Sequence, residues 1–259
     1  MSYIDDAQRL WPLVARYVPD PERPAGAAGP PWISNERVFM RLIHFLRAGC
    51  SWQAFDELSR GCGVSGRTCR RRLAQWREDG VFAQVAEVLR AQLPTPDVAH
   101  MDAMFVRARY SGELVGLTRH GKGSKIQALA NDDSLPIAIQ LESANPHEAT
   151  TAPALLDLLD EMPKTIVADR AYDSDPLRDD VAERNSKLLV PHKKNRKKPP
   201  RDQEQIGRHY RQRWLVERLF AWLAPFRRLA TRWEADPLNY TTWLDLAVSL
   251  IYVRAGLWP

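Results

Sequence analysis

The sequence has few cysteines, no long apolar run and no basic leader at its start. Its three cysteines, Cys50, Cys62 and Cys69, form no CxxC pair. A disulfide framework or a structural zinc site is therefore not expected, and a reducing cytoplasm is the expected location. No stretch reaches the ~18 consecutive apolar residues that would predict a membrane span. The N-terminus lacks a basic segment followed by an apolar one, so we expect no secretory signal.

The chain also lacks the short motifs of several enzyme classes. The patterns GxSxG, HExxH and GxGxxG do not occur. Residues 116–123, GLTRHGKG, come close to a phosphate-binding P-loop. That motif requires Ser or Thr after the lysine and a helix after the loop, whereas here a glycine and an alternating strand pattern follow. We therefore predict no nucleotide cofactor.

Basic and acidic residues are segregated along the chain. The composition, with 44% hydrophobic and 27% charged residues and a net charge of +5, is typical of a globular protein. Residues 58–77 contain six arginines and no acid, and residues 193–201 contain six more lysines and arginines. Residues 146–185 hold ten acids against four lysines or arginines. A solvated face explains either basic run alone, but two runs on a chain with nine tryptophans favour a nucleic-acid partner.

The first part of the chain predicts an all-α DNA-binding region. Residues 1–33, which are rich in proline, are interpreted as an N-terminal arm and linker. Helical spacing of apolar residues begins at Ser34, and Ser65 caps a later, arginine-rich helix. Residues 34–93 thus show the pattern of a helix-turn-helix, although any small helical bundle can share it. The arginines expected to face outwards from the last helix and to contact DNA are Arg67, Arg70 and Arg71.

The second part predicts an α/β domain over residues 97–259. Apolar residues change there from helical spacing to alternation, which predicts strands over residues 98–109, 124–131 and 135–142. A helix, a short strand, a second helix, another strand and a long helix follow. This element order is that of the ribonuclease H-like fold, a mixed sheet with flanking helices.

Three carboxylates stand out by their positions. Asp102 lies in the middle of the first strand, where a charge is costly unless it is paired or binds a metal. Asp169 follows a short apolar strand, at the end where ligands gather in α/β sheets. Glu217 shares one face of the long helix with Tyr210 and Arg213. Such hard oxygen ligands suit one or two Mg²⁺ ions acting on a phosphate, although each acid alone also fits a surface or N-cap role.

Three segments resemble the signature regions of bacterial insertion-sequence DDE transposases. They are HMDAMFVRA, TIVADRAYDSD and HYRQRWLVERLFAWLAPFRRLATRWE. The segment between the first two, GKGSKIQALANDDSLPIAIQLESANPHEATTAPALLDLL, is similar as well, and so are LIHFLRAGCSWQAF and GVSGRTCRRRLAQWREDGVF. The resemblance is greatest to the IS-five group of the IS-four-like superfamily and runs from about residue 38 to the C-terminus.

The resemblance implies an activity, its residues and its partners. Asp102, Asp169 and Glu217 match the family's catalytic triad, which would bind Mg²⁺, with Mn²⁺ able to substitute. Activated water would cut at the transposon ends, and the freed 3′-hydroxyls would then attack target DNA without a covalent protein intermediate. The expected partners are double-stranded DNA, as terminal inverted repeats and as target, and a second copy of the chain, because synapsis joins two ends. The expected location is the bacterial cytoplasm, at the nucleoid.

Further DNA contacts are expected around the triad. The family's helix motif, Tyr-x2-Arg-x3-Glu-x6-Lys, matches at Tyr210 and Arg213, but Ala224 occupies the lysine position. Arg227 or Arg228, one turn further on, is the candidate substitute. Apart from the resemblance, the basic side chains expected to contact the phosphate backbone are Lys122, Lys125, Lys193, Lys194, Arg196, Lys197 and Lys198.

Two alternatives stay open from the sequence alone. A domesticated transposase that has lost catalysis would act as a DNA-binding regulator; Ala224 favours this, and the intact triad argues against it. A ribonuclease H-like nuclease would cut structured DNA or RNA without strand transfer. The predicted helix-turn-helix favours duplex ends over junctions as the substrate.

Overall fold

The computed structural model describes residues 2–18, 32–58, 63–193, 206–207 and 210–258. The chain divides into two compact units. The first comprises Met1–Gln92, Pro225–Thr231 and Leu238–Pro259, and the second comprises Leu93–Ala224 and Arg232–Pro237. This division differs from the linear one expected from the sequence, because the C-terminal helix belongs to the first unit and not to the unit that holds the sheet.

Helices and strands follow one another along the described residues in a mixed order. The helices are α1 (Tyr3–Val14), α2 (Asn35–Ala48), α3 (Trp52–Leu58), α4 (Gly66–Glu78), α5 (Val81–Arg90), α6 (Glu148–Leu156), α7 (Asp175–Glu183), α8 (Trp214–Leu223), α9 (Arg227–Ala230) and α10 (Pro237–Arg254). The strands are β1 (Val98–Ala108), β2 (Gly116–Thr118), β3 (Gly121–Ala130), β4 (Pro136–Ser143), β5 (Thr165–Ala168), β6 (Lys187–Leu189) and β7 (Thr231–Arg232). None of the helices in this part of the chain combines the length and apolar character needed to cross a bilayer.

The N-terminal residues form a helix, which the sequence interpretation as an arm did not predict. Ser2 and Asp5 make a capping box at the start of α1: each side chain accepts a hydrogen bond from the other residue's backbone N–H. Leu10 and Leu13 are buried on its inner face, while Pro12 lies on the exposed side. Burial of the apolar face thus outweighs the backbone hydrogen bond that Pro12 cannot make. The remaining prolines of this stretch lie outside the described residues.

The helix boundaries predicted around the arginine-rich segment are confirmed. Ser34 caps the start of α2, and Gly49, in the left-handed conformation with φ of +64°, follows its last residue as the C-cap. Ser65 caps α4. Asp56 on α3 accepts a hydrogen bond from the backbone N–H of Gly66, and a Cβ at this glycine would lie 2.8 Å from that carboxylate. Glycine at this position therefore lets α3 and α4 approach.

The second unit is built on a mixed sheet with the strand order β4-β3-β1-β5-β6. β1 pairs antiparallel with β3, and β3 with β4 as the predicted hairpin. β5 and β6 continue the sheet in parallel with β1. This order and the flanking helices confirm the ribonuclease H-like fold class predicted from the sequence. The short strand β2, which pairs with β3, was not predicted because its three residues lie within the segment that resembles a P-loop.

The two faces of the sheet are covered by different helices. Met101 on β1 belongs to a buried cluster with residues of α6 and α7, among them Leu155 and Val181. Side chains alternate along a strand, so Asp102 lies on the opposite face. α8 packs against β1 and β3. The fold therefore presents Asp102 to the helix that carries Glu217.

A buried arginine fixes the loop that follows β1. The side chain of Arg232 is fully buried, and its guanidinium donates to the carbonyl oxygens of Glu113 at 2.7 Å, Leu114 at 3.1 Å and Ala235 at 3.1 Å. It also donates to the hydroxyl of Ser124 at 2.7 Å. Burying a charge is costly unless its hydrogen-bond capacity is used, and this network uses it.

Candidate active site

Asp102 and Asp169 lie side by side on two neighbouring parallel strands. Met101 on β1 pairs with Ala168 on β5, so each aspartate is the residue directly after a paired position. Neighbouring strands are about 4.8 Å apart, which brings the two carboxylates into electrostatic contact. The charge of Asp169 accordingly acts on Asp102. The strand register thus joins two acids that are separated by 66 intervening residues in the sequence.

Each aspartate has one oxygen in a short backbone hydrogen bond. The N–H of Ala103 donates to Asp102 Oδ1 at 2.8 Å, and the N–H of Ala171 donates to Asp169 Oδ1 at 2.7 Å. Burial raises the pKa of the Asp102 carboxyl, and the charge of Asp169 acts in the same direction. The Ala103 hydrogen bond and the positive charge of Arg213 oppose that rise. The pair therefore carries negative charge that its surroundings only partly neutralise.

Arg213 connects Asp102 to Glu217, the third predicted carboxylate. Its Nη2 lies 3.0 Å from Asp102 Oδ2 and 3.5 Å from Glu217 Oε1, and its Nη1 lies 3.0 Å from the hydroxyl of Tyr210. The single long helix expected here is instead a 3₁₀ turn, Tyr210–Gln212, followed by α8. The contacts between Tyr210, Arg213 and Glu217 nevertheless follow the spacing from which they were predicted.

α8 is anchored to the sheet through Arg218, the neighbour of Glu217. The Nε of Arg218 donates to the hydroxyl of Ser134, in the turn between β3 and β4, at 2.7 Å. The guanidinium also stacks on two tryptophan rings, 4.7 Å from the centre of Trp214 and 5.1 Å from that of Trp222. Trp214 is 50% exposed. The anchor fixes the backbone of Glu217 beside β1 and β3.

The donor chemistry at Asp102 and Asp169 fits a divalent cation. Carboxylate oxygens are hard ligands, and a bound cation would offset the negative charge that the two acids share. Among the residues that the structure describes, no three His, Cys, Asp or Glu side chains are grouped closely enough to hold a metal. The side chain of Glu217 is 61% exposed and reaches Asp102 only through Arg213. Asp102 and Asp169 are therefore the two members of the predicted triad that the structure brings together.

Family comparison covers most of the chain and includes all three acids. The family model described as "Transposase DDE domain" matches residues 94–251. The chain belongs to the DDE transposase family. A second model, described as a putative transposase of the IS4/5 family, matches residues 5–86 of this transposase. The family resemblance stated from the sequence motifs is confirmed.

Relatives and solved structures agree with this family. The Burkholderia cepacia protein "Insertion element IS402 uncharacterized 16.2 kDa protein" is 33% identical over 121 residues, which cover 44% of this chain and 80% of that protein. The putative transposase for insertion sequence element IS402 from the same organism is 29% identical over 139 residues, 50% of this chain and 62% of the relative. The piggyBac transposase synaptic complex with hairpin DNA has a similar fold, with a TM-score of 0.57 at 11% identity, over 98% of this chain and 72% of that chain.

The arginines predicted to face outwards from α4 are exposed in the structure. Arg67, Arg70 and Arg71 all lie on its exposed side. The next arginine, Arg72, is buried, and its Nη1 donates to the side-chain oxygen of Asn35. α4 of this transposase therefore has three arginines free to meet a polyanion and one that belongs to the core.

The other predicted phosphate contacts differ in their placement. Lys122 is exposed, and its Nζ lies 3.4 Å from the hydroxyl of Ser111. Lys125 is only 7% exposed, and its ammonium donates to the carbonyl of Pro146, so it is a buried cation and not the exposed phosphate contact expected from the sequence. Lys193 is half-buried. The remaining predicted contacts of this basic loop lie outside the described residues: Lys194, Arg196, Lys197 and Lys198.

One of the two candidate substitutes for the missing family lysine is buried. Arg228 is 5% exposed, and its Nη1 donates to the carbonyl of Cys50 at 2.8 Å. It also lies over the ring of Phe45, 4.8 Å from the centre. Arg228 therefore cannot replace the family's lysine as a DNA contact, because its guanidinium is buried and hydrogen-bonded inside the first unit. Arg227 is exposed and stays the candidate for the DNA contact that the family's lysine makes.

Sequence reasoning did not single out Glu148, although the charges of both aspartates act on it. Glu148 is half-buried at the first position of α6. Its segment, NPHEAT, was noticed only as part of the family resemblance. An acid at the start of a helix is usually explained by the helix dipole, so only the folded structure reveals its neighbours.

Proposed function

We propose that this protein is a DNA transposase that binds the terminal inverted repeats of an insertion sequence and catalyses metal-dependent strand cleavage and strand transfer. The observation that carries the proposal is the pairing of Met101 with Ala168, which sets Asp102 beside Asp169 in a chain of the DDE transposase family. Family membership and fold support phosphoryl transfer on nucleic acid as the reaction class.

Asp102 and Asp169 would hold the divalent cation, Mg²⁺ or in its place Mn²⁺, and Glu217 would join them when DNA is bound. A bound divalent cation supplies Lewis-acid polarisation of the phosphate and lowers the pKa of a coordinated water. Arg213 orients Asp102 and Glu217 through its two ion pairs. When a phosphate enters, the same guanidinium is placed to donate to its oxygens, as guanidinium groups commonly do.

The reaction would proceed as two in-line displacements at phosphorus. In the first, water attacks the phosphodiester at a transposon end, the bond from phosphorus to the 3′-oxygen breaks, and a 3′-hydroxyl and a 5′-phosphate are released. In the second, that 3′-hydroxyl attacks a phosphodiester of target DNA and the target's own 3′-oxygen leaves. Neither step needs a covalent bond to the protein, so no Ser or Tyr nucleophile is required.

DNA binding would combine a sequence-reading helix with contacts to phosphates. α4, with Arg67, Arg70 and Arg71 exposed, would act as the recognition helix for the terminal repeats. Lys122, Lys193, the loop with Lys194, Arg196, Lys197 and Lys198, and the side chains of Tyr210 and Arg213 would contact the phosphate backbone. The similar fold of a transposase whose solved complex contains hairpin DNA supports a DNA partner.

Two copies of the chain would act together on DNA. Each copy would supply one active site, and pairing of two transposon ends requires two. We propose a homodimer on DNA for this reason.

A strand-joining assay tests the proposal. Purified protein is incubated with a labelled duplex that carries the terminal repeats of its own element, together with supercoiled plasmid and either Mg²⁺ or EDTA. The proposal predicts a joined product with Mg²⁺ and none with EDTA or with Glu217→Ala. Ala224→Lys, which restores the family's lysine, serves as a variant that keeps the triad intact.

The other outcomes of this assay identify the alternatives. Cleavage without joining would overturn the proposal in favour of a nuclease. Specific binding of the repeats without either reaction, also with Ala224→Lys, would overturn it in favour of a repurposed regulator. No binding of the repeats at all would contradict the recognition role of α4.

A further inference from the structure

The turn that follows Asp169 is fixed by the core of the second unit. Asp169 caps a 3₁₀ turn, Arg170–Tyr172, and accepts a hydrogen bond from the turn's second N–H at 2.7 Å. The side chain of Tyr172 is fully buried, and its hydroxyl accepts a hydrogen bond from the Nε2 of Gln127 on β3 at 3.0 Å. Asp173 ends the turn, because its backbone N–H donates to the carbonyl of the turn's first residue at 3.2 Å. The place of Asp173 relative to Asp169 is therefore set by buried contacts.

The carboxylate of Asp173 joins this turn to the segment after β6. Its side chain has no solvent exposure. Its Oδ2 accepts a hydrogen bond from the backbone N–H of Lys193 at 2.9 Å and lies 3.8 Å from the Nδ1 of His192. Its Oδ1 accepts a hydrogen bond from the Nη2 of Arg178 on α7 at 3.2 Å. One buried carboxylate thus connects the turn after Asp169 with α7 and with the first residue of the basic run 193–201.

Arg178 holds the end of β6 as well as the carboxylate of Asp173. Its side chain is only 10% exposed. Its Nη1 donates to the carbonyl of Leu188 at 3.0 Å, and its Nη2 lies 3.4 Å from the carbonyl of Val190. β6 has three residues and pairs with β5 at the end of the strand order. The guanidinium therefore ties α7 to the residues that lead from this short strand to Lys193.

The stability of the fold alone does not require an ion pair at this place. Apolar side chains of similar volume often stabilise a protein as well as a buried ion pair does. A carboxylate that accepts hydrogen bonds from a backbone N–H and from a guanidinium fixes both donors in direction and distance. Because both oxygens of Asp173 accept hydrogen bonds from nitrogen donors, we assign it no role as a ligand of the cation.

We infer that Asp173 is a positioning residue for DNA binding: it holds Lys193 at a fixed place relative to Asp169, so that a DNA end bound at the metal site also meets this lysine. The inference rests on the proposed function, because it takes Lys193 as a contact to the phosphate backbone. Arg178 acts with Asp173, since it fixes the carboxylate and the end of β6 together.

A double-mutant cycle tests whether Asp173 acts through Lys193. Binding and single-turnover cleavage of a terminal-repeat duplex are measured for the wild type, Asp173→Asn, Lys193→Gln and the double variant. The asparagine keeps the shape of the side chain but places an N–H₂ group against one of the two donors. Each single variant should weaken DNA binding about fivefold and lower the slope of log affinity against log salt by about 1, because one phosphate contact is lost.

The double variant should bind within about twofold of either single variant, because both changes remove the same contact. At saturating DNA, cleavage by Asp173→Asn should recover to within about threefold of the wild type, as expected when only substrate binding is lost. Asp180→Asn is the matched control: this carboxylate also pairs with an arginine of α7, Arg184, at 3.2 Å. It should bind the duplex like the wild type.

The remaining outcomes would overturn the inference. Losses that add up in the double variant would show a general structural effect of Asp173→Asn. A shift of about tenfold in the Mg²⁺ concentration for half-maximal cleavage would show that Asp173 acts on the cation. Unchanged binding by Lys193→Gln, while the wild type binds and cleaves the repeats, would overturn this inference alone. A wild type that neither binds nor cleaves them would overturn it together with the proposed function.

Arg178→Lys decides if Asp173→Asn fails to fold. The lysine keeps the positive charge beside Asp173 but lacks the fork that also reaches the carbonyls of Leu188 and Val190. The same cycle with Lys193→Gln then applies. Non-additive losses of DNA binding are expected, and additive ones would overturn the inference.

Discussion

The guanidinium of Arg213 lies 3.0 Å from the carboxylate of Asp102, which precedes it by 111 residues. The same guanidinium reaches Glu217 at 3.5 Å. Arg213 therefore partly neutralises the negative charge of these two carboxylates, as a bound divalent cation would do more strongly. In the proposed complex with DNA and a divalent cation, Arg213 would be placed to release a carboxylate and bind a phosphate.

Arg213→Ala should destabilise the metal-free protein by about 1–2 kcal/mol, because a partly buried carboxylate loses its cation. The loss should shrink in Mg²⁺, since a bound cation neutralises the same acids. Thermal unfolding in EDTA and in Mg²⁺ measures both effects. Arg211→Ala, on the exposed 3₁₀ turn, is the control. Identical unfolding of the two variants in EDTA would refute the bridging role of Arg213.

Alanine at Arg67, Arg70 or Arg71 should weaken binding of terminal-repeat DNA while leaving the fold intact. Each lost phosphate contact lowers the slope of log affinity against log salt by about 1, and a lost base contact relaxes specificity by about 1–3 kcal/mol. Fluorescence anisotropy over a salt series distinguishes the two. Arg90→Ala is the control, because that arginine pairs with Glu87 on α5. Unchanged affinity in all three variants would remove α4 from the proposed DNA interface.

Arg232→Met should destabilise the second unit by about 3–5 kcal/mol. The methionine fills a similar volume, but it leaves the carbonyls of Glu113, Leu114 and Ala235 without the donors they have now. Urea unfolding followed by circular dichroism reports the change. Arg119→Met, at an exposed position, should have almost no effect. A loss below about 1 kcal/mol for Arg232→Met would show that water replaces the guanidinium in this loop.

Asp245→Asn should stabilise the protein above neutral pH. Burial raises the pKa of Asp245 on α10 to about 7, from 3.8. Between these values the folded chain holds a proton that the unfolded chain has lost, so stability falls as pH rises through this window and stays low above it. The asparagine cannot ionise, so it should raise the free energy of unfolding by up to about 4 kcal/mol at pH 8 and by almost nothing at pH 4. Urea unfolding at the two pH values checks it, with the exposed Asp79→Asn as control; equal gains at both would contradict a titration effect.

The strands and the two aspartates could be predicted from the sequence because local signals specify them. The alternation of apolar and polar residues predicts β1, and Asp102 interrupts that alternation with a charge. Asp169 follows a short, mostly apolar run that forms the strand β5 in the structure. The turn between β3 and β4 fixes the hairpin register. These features depend on neighbours within a few residues, which a sequence displays directly.

Burial of charged residues could not be predicted, because it depends on distant parts of the chain. The alternation along β3 predicts which side of the sheet Lys125 faces. It does not predict that α6 packs over that side and buries the lysine. Arg228 and Arg232 are buried against the usual preference of arginine for the surface. The assignment of α10 to the first unit likewise results from packing between segments far apart in sequence.

Single-turnover cleavage of a terminal-repeat duplex by Asp169→Asn is the most direct test of the central claim. The change removes one charge from the Asp102 and Asp169 pair and keeps the shape of the side chain, so the loss of cleavage should be at least 10³-fold in Mg²⁺, about 4 kcal/mol of barrier. Asp179→Asn, an exposed residue on α7, should cleave at the wild-type rate. Cleavage by Asp169→Asn within tenfold of the wild type would contradict the assignment of this pair as the catalytic centre.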